Sequence, residues 1–168
     1  MNALGLASNR LVLQPHNSEW ALLFEEEAAR LRAVLGDFVL DIQHVGSTSI
    51  PGIPAKPILA IGIAVADFEE AKRCIDPIET LGYTYRGEQG IPRRHYFVMG
   101  TSEARTHHLH MNEIHSSDWQ QQIAFRDALR TNTGLAQEYA ALKLKLAKQL
   151  VSFVDHWQAT ELPNHWSG

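Results

Sequence analysis

Residues 58–65, ILAIGIAV, form a run of eight without one polar side chain. A run of that length and composition suits a strand buried on both faces, because an exposed face would demand alternation with polar residues. Just upstream, IQHV reads as a short strand, and Gly46, Ser47, Thr48 and Ser49 form a turn of small residues before a proline-punctuated loop. Such a turn crowds backbone N–H groups and hydroxyls together, and can cradle an anion. The alternative is a tight loop whose serines bond their own backbone. Lys56 is the nearest cation. Pro57 holds it toward an extended conformation, at the mouth of the apolar strand. It is either a solvated loop lysine or a charge partner for a phosphate or carboxylate.

Around this stretch, the remaining pattern predicts a mixed α+β architecture. A helix is expected over residues 19–35, capped by Asn17 or Ser18, with Trp20, Leu23, Phe24, Ala28, Leu31 and Leu35 on one stripe and Gly36 as the stop. An edge strand is expected at 10–14. Asp67 with Glu70 reads as a capping box opening a helix up to Gly82, kinked or split by Pro77. Strands are expected at 83–86, 94–99 and 106–112. A helix follows at 118–131, capped by Ser117, and a last long helix opens at Thr133. This order predicts a single α+β domain over residues 1–168, with a sheet flanked by helices packed on one side and loose ends at 1–10 and 158–168.

Composition narrows the function classes. A net charge of -4 argues against nucleic-acid binding, which needs a basic face. No apolar run reaches membrane-spanning length, and the N-terminus lacks a signal-peptide pattern, so no membrane role is expected. Cys74 is the sole cysteine, which fits a reducing, cytoplasmic setting. The nine histidines are the unusual feature. In residues 106–111, THHLHM, His108 and His110 face one way on a strand and His107 and Leu109 the other. Two histidines on one face can share a metal, work as acid and base near neutral pH, or simply hydrogen-bond across a sheet.

Residues 44–59, HVGSTSIPGIPAKPIL, resemble the GrpB-like family, whose pattern runs H-V-G-S-T-(S/A)-(V/I)-P-G-(L/I)-x-A-K-P-I-(I/L)-D-(I/L). The family is similar in fold to nucleotidyltransferases, so the resemblance implies a nucleotidyltransferase-like mixed sheet. There, one or two metal-binding acids on the strand follow the Gly-Ser turn by about a dozen residues. Here those positions hold Ala60 and Gly62, which offer a metal no oxygen. Further segments agree. Trp20 and Phe24 match W-x-x-x-F, Arg93 and Arg94 match a G-x-x-x-R-R-x-(F/Y)-F segment, and 106–111 resemble T-H-H-L-H-V. Residues 125–130 resemble F-R-D-(Y/A)-L-R, and Tyr139 to Lys143 resembles Y-x-x-L-K. The likeness covers roughly residues 11–150, and a further Y-x-x-x-K-x-x-F helix is missing from the C-terminus.

On a strand, Arg94 and Tyr96 share a face and can meet an anion, the other reading being a surface salt bridge. Arg126 shares a helix face with Arg130 and either reaches the cleft or stays in a surface ion cluster; Lys143 can point the same way. The resulting expectation is a pocket made by Gly46, Ser47, Thr48, Ser49, Lys56, Arg94, Tyr96, Arg126 and Lys143, taking a phosphorylated or carboxylated small molecule or a nucleotide. Ser47, His108 and His110 are its candidate catalytic residues. Three functions follow: a metal-independent transferase or ligase, a non-catalytic ligand- or partner-binding relative, and a metal-dependent nucleotidyltransferase. The last would bring ATP and Mg²⁺, which the resemblance implies and Ala60 and Gly62 disfavour. No protein metal ligand is expected.

Overall fold

The computed structural model describes residues 3–6 and 12–157, with side chains to 149. Most of the ends expected to be loose, and residues 10 and 11 of the expected 10–14 edge strand, lie outside the described residues. Gln14 does pair with Ala55 in an antiparallel bridge, and Leu6 with Arg105.

Helix α1 (Glu19–Leu35) follows its apolar stripe, burying Trp20, Phe24, Ala28, Leu31 and Leu35. Its first turn is closed by Asn17, whose Oδ1 accepts from Glu19 N–H at 2.9 Å, while Ser18 makes no cap bond. Burial of side chains as large as Trp20 and Phe24 contributes roughly 2–3 kcal/mol each. The stripe also buries Glu27, between Arg30 at 2.8 Å and the donating hydroxyl of Tyr83 at 2.8 Å. A carboxylate can sit at the core edge only with such partners.

Strands β1 (Asp41–Val45), β2 (Leu59–Val65), β3 (Tyr83–Tyr85), β4 (His95–Thr101) and β5 (Ala104–Glu113) form one sheet in the order β1-β2-β5-β4-β3. Only the β2–β5 pairing is parallel. All seven residues of β2 are buried, as an apolar run at the sheet centre requires. Between β2 and β3, Asp67 Oδ2 accepts from Glu70 N–H at 2.8 Å. The segment then splits into a 3-10 turn at Glu70–Cys74 and helix α2 (Ile75–Thr80). Of the kink or split expected at Pro77, the structure has a split, and it falls before Ile75. Pro77 sits in the first turn of α2, where its missing N–H costs nothing.

Helices α3 (Ser117–Thr131) and α4 (Thr133–Trp157) complete the fold. The α3 cap is Ser116, not Ser117: the Ser116 Oγ accepts from Trp119 N–H. Asn132 caps α4 by accepting from Leu135 N–H. The helices do not all lie on one side of the sheet. Leu59, Ile61, Ile63 and Val65 join Phe97, Leu109 and Met111 in a core with α1 and α2 residues. The alternate residues of β2 face the other way, and a Cβ on Gly62 would lie 3.0 Å from Trp119 of α3. Helices therefore cover both faces, which is what a strand apolar at every position needs. A second cluster of Ile50, Ile53, Leu129, Ala136 and Ala140 seats α3 and α4 over the loop after β1. No helix among the described residues is long and apolar enough to cross a membrane.

Candidate functional site

The site forms where β1 ends. Gly46 has φ +70°, a backbone conformation that glycine adopts readily, and turns the chain into a 3-10 turn at Ser47–Ser49. The turn is held from below rather than left free. Ser49 N–H and its hydroxyl both donate to Gly46 O, and Ile50 N–H donates to Ser47 O. Arg130 Nε donates to Ser49 O at 2.9 Å, and Arg126 donates to His44 O at 3.1 Å and Gln43 Oε1 at 2.6 Å. Thr48 Oγ1 pairs with His44 Nε2 at 2.9 Å, and the His44 ring stacks on Phe24.

Above the turn lies a small open cleft lined by Ser47, Thr48, Lys56, Ile58, Ala60, His108 and Lys143. Three strand-and-loop segments and one helix supply it. β1 delivers the turn, Pro57 sets Lys56 at the mouth of β2, and β5 places His108 beside Ala60 in the parallel register. α4 crosses the opening and brings Lys143, whose Nζ donates to Ser47 Oγ across 96 residues of sequence and lies 5.3 Å from the Tyr139 ring centre.

Among the described residues the lining contains two lysines and no carboxylate. Burial, and then the charge of Lys56, bring the Lys143 amine down to about 8. Burial also lowers Lys56. His108 is pushed down to about 3 by burial first and then by Lys56, Arg105 and Arg94. Both desolvation and like charge disfavour adding a proton, so the ring is neutral at pH 7. An anion between the two lysines would offset the repulsion of Lys56 on Lys143.

Of the residues expected to make the pocket, Ser47, Thr48, Lys56, His108 and Lys143 come together. Gly46 shapes the turn from behind, and Ser49 spends its hydroxyl on that same turn. Arg126 is buried beneath the turn, pinning α3 to β1 and pairing with Asp127. Arg94, Tyr96 and His110 form a second group beyond the cleft lining. Arg94 NH1 lies 3.2 Å from His110 Nδ1, and its guanidinium carbon lies 4.5 Å from the Tyr96 ring centre. The same guanidinium donates to the carbonyls of Glu88 and Gln89. Arg94 thus holds the loop before β4. His110, buried against that cation, is also pushed down to about 3, by burial first and then Arg94.

Two contributors went unmarked by sequence reasoning: Arg130, which anchors the turn's last carbonyl, and Ile58, which lines the cleft. Arg130 had a signal in its four-residue spacing from Arg126. Ile58 had none beyond lying next to Pro57. Among the described residues, no group of three or more His, Cys, Asp or Glu side chains is arranged to hold a metal ion.

Comparison with known proteins places the chain. The family described as GrpB protein matches residues 10–160. YqkA of Bacillus subtilis is 42% identical over 134 residues, covering 80% of this chain but only 39% of YqkA. The glutamate-rich protein GrpB of Alkalihalophilus pseudofirmus is 33% identical over 87% of this chain and 86% of its own length. The crystal structure of conserved protein GrpB from Enterococcus faecalis superposes with a TM-score of 0.76 at 34% identity, covering 82% of this chain and 84% of that one. With a family match over most of its length and a relative of the same fold, this chain belongs to the GrpB family.

Proposed function

We propose that the cleft binds a phosphorylated or carboxylated small molecule, held by Lys56, Lys143 and the hydroxyls of Ser47 and Thr48. One observation carries this reading: two half-buried lysines converge with hydroxyl groups, and among the described residues no carboxylate lines the cleft. The charge of Lys56 bears on Lys143, and a cleft of that sign attracts an anion. The -4 net charge favours a small anion over nucleic acid as the partner.

The residues do not fit a two-metal nucleotidyltransferase. Ala60 lines the cleft with a methyl group, and Trp119 fills the space beside Gly62. Hard divalent cations need carboxylate or carbonyl oxygens, and two lysine ammonium groups would instead repel such a cation. If turnover follows binding, it is metal-independent transfer or ligation, with His108 the ring placed to touch the ligand. A bound anion would raise His108 back toward the range of a general acid. Binding without turnover is the second reading. It is favoured by the second candidate histidine, His110, lying against Arg94 outside the cleft lining.

The test is thermal unfolding with inorganic phosphate, pyrophosphate and small phosphorylated or carboxylated metabolites, each with Mg²⁺ and with EDTA. A ligand at a hundred times its Kd adds about 2.7 kcal/mol. For a chain of this size that is a rise of roughly 6–10 °C in Tm. The rise should be indifferent to EDTA and fall sharply in Lys56→Ala and Lys143→Ala. Stabilisation that appears only with Mg²⁺, or survives both substitutions, would count against the reading.

A further inference from the structure

We infer that Lys143 is a nucleophile, and that the cleft captures a small carbonyl compound bearing an anionic group, such as a 2-oxo acid or a phosphorylated aldehyde, as an imine on Lys143 Nζ. The inference rests on the anion-binding reading above and adds a covalent step to it.

Three observations lead there. First, among the described residues no carboxylate stands within ion-pair distance of Lys143; its contacts are the Ser47 hydroxyl and the Tyr139 ring. Second, a second amine, Lys56, lines the same cleft. A lysine desolvated beside another cation is a recognised way to obtain a free amine near neutral pH. Burial and Lys56 together bring Lys143 to about 8, so at pH 7 about a tenth of it is unprotonated, on the order of a hundredfold more than for an exposed lysine. Third, Ser47 touches the amine, and Thr48 and neutral His108 line the same space. These groups can pass protons without adding charge.

The step balances. The Nζ lone pair attacks the carbonyl carbon, and the C=O π electrons move to oxygen. A proton passes from nitrogen to that oxygen through the Ser47 hydroxyl, giving a carbinolamine. Loss of water then leaves the C=N bond, so amine and carbonyl give imine and water with no oxidant or reductant. The anionic group of the compound lies by Lys56 and offsets its charge. Lys56 is thereby assigned to docking and Lys143 to bonding.

The experiment uses the full chain with three probes: pyridoxal 5′-phosphate, glyoxylate, and a neutral aldehyde such as propanal. Each is trapped with borohydride, and the adduct is located by peptide mass mapping. The expected result is one dominant adduct on Lys143 with both anionic probes, forming at least tenfold faster than on exposed Lys72. Inorganic phosphate should suppress it, and its pH profile should inflect near 8. Lys143→Arg keeps a cation and should abolish the adduct with Tm unchanged. Lys56→Ala should slow the anionic probes selectively. Adducts spread over surface lysines in proportion to exposure would overturn the inference. Phosphate-induced stabilisation without a Lys143 adduct would overturn it and leave the anion pocket standing. A Lys143 adduct formed equally by propanal and untouched by phosphate would overturn the anionic specificity, and the pocket reading with it.

Discussion

Lowering the pH from 6.5 to 4 should unfold this protein cooperatively, with the uptake of two to three protons. His44, His108 and His110 are each held near 3, in every case by burial first. The further causes are cationic neighbours: Arg130 and Arg126 for His44, Lys56, Arg105 and Arg94 for His108, and Arg94 and His108 for His110. In the unfolded chain these rings titrate near 6.5. The folded values lie below the unfolded ones, so the unfolded state binds more protons throughout the window from about 6.5 down to about 3. Stability is therefore fully present above that window and is lost as pH falls through it. Each ring contributes a slope approaching about 1.4 kcal/mol per pH unit, or roughly 4 kcal/mol for all three. Between pH 6.5 and 4 the three together remove roughly 9 kcal/mol, which is enough to unfold a domain of typical stability, about 5–9 kcal/mol. Urea midpoints by circular dichroism at pH 7, 6, 5 and 4 measure this directly. Replacing His110 by Asn should cut the slope by about a third. A midpoint that stays flat between pH 6.5 and 4.5 would show that the histidines are solvated or paired with acids.

Gly62→Asp should cost more than any surface substitution, at about 3 kcal/mol or above, whereas Ala60→Asp should leave the fold nearly intact. The two positions are neighbours on one face of β2 but meet different surroundings. A Cβ at 62 would lie 3.0 Å from the Trp119 ring and 3.4 Å from Gln122 Oε1, an oxygen that has no hydrogen-bond donor. Crowding a packed indole costs roughly 1–3 kcal/mol, and an unpaired carboxylate in that space adds several more or is forced neutral. Position 60 opens on the cleft, where a carboxylate would meet Lys56, Lys143 and His108. Chemical denaturation of both variants, with Gly62→Ala between them, separates the steric part from the charge. In Ala60→Asp the new acid should also occupy the lysines and weaken phosphate binding at least tenfold. Equal stability of the two variants would mean that α3 does not pack on β2 as described.

What the sequence made legible was local or periodic. The eight-residue apolar run is enough to demand a strand covered on both faces, and the stripe from Trp20 to Leu35 delimits α1. Two-residue alternation puts His108 and His110 together on one side of β5. Long-range partners were beyond such reasoning. That α3 would cover the second face depends on Trp119 finding the gap left by Gly62, which no spacing encodes. Lys143 meets Ser47 across 96 residues, and only a family-like segment pointed to it. Arg94 looked available for a ligand because its real acceptors are backbone carbonyls. They converge in a loop where Gln89 and Arg93 both adopt positive φ, a conformation that side-chain chemistry does not announce. Arg126 likewise appeared as one of a surface pair, yet it lies buried under the turn it was expected to complement from above.

At the centre of the proposed site is a Lys143 amine brought down by burial and by Lys56, which a bound anion would bring back up. The measurement is an NMR titration of the lysine ε-positions, with Lys143 assigned through Lys143→Arg, run without and with saturating inorganic phosphate. The predicted result is a midpoint near 8 for the free protein, shifted upward by a unit or more when phosphate is bound. A Lys143 midpoint in the ordinary range near 10.5, unmoved by phosphate, would contradict it.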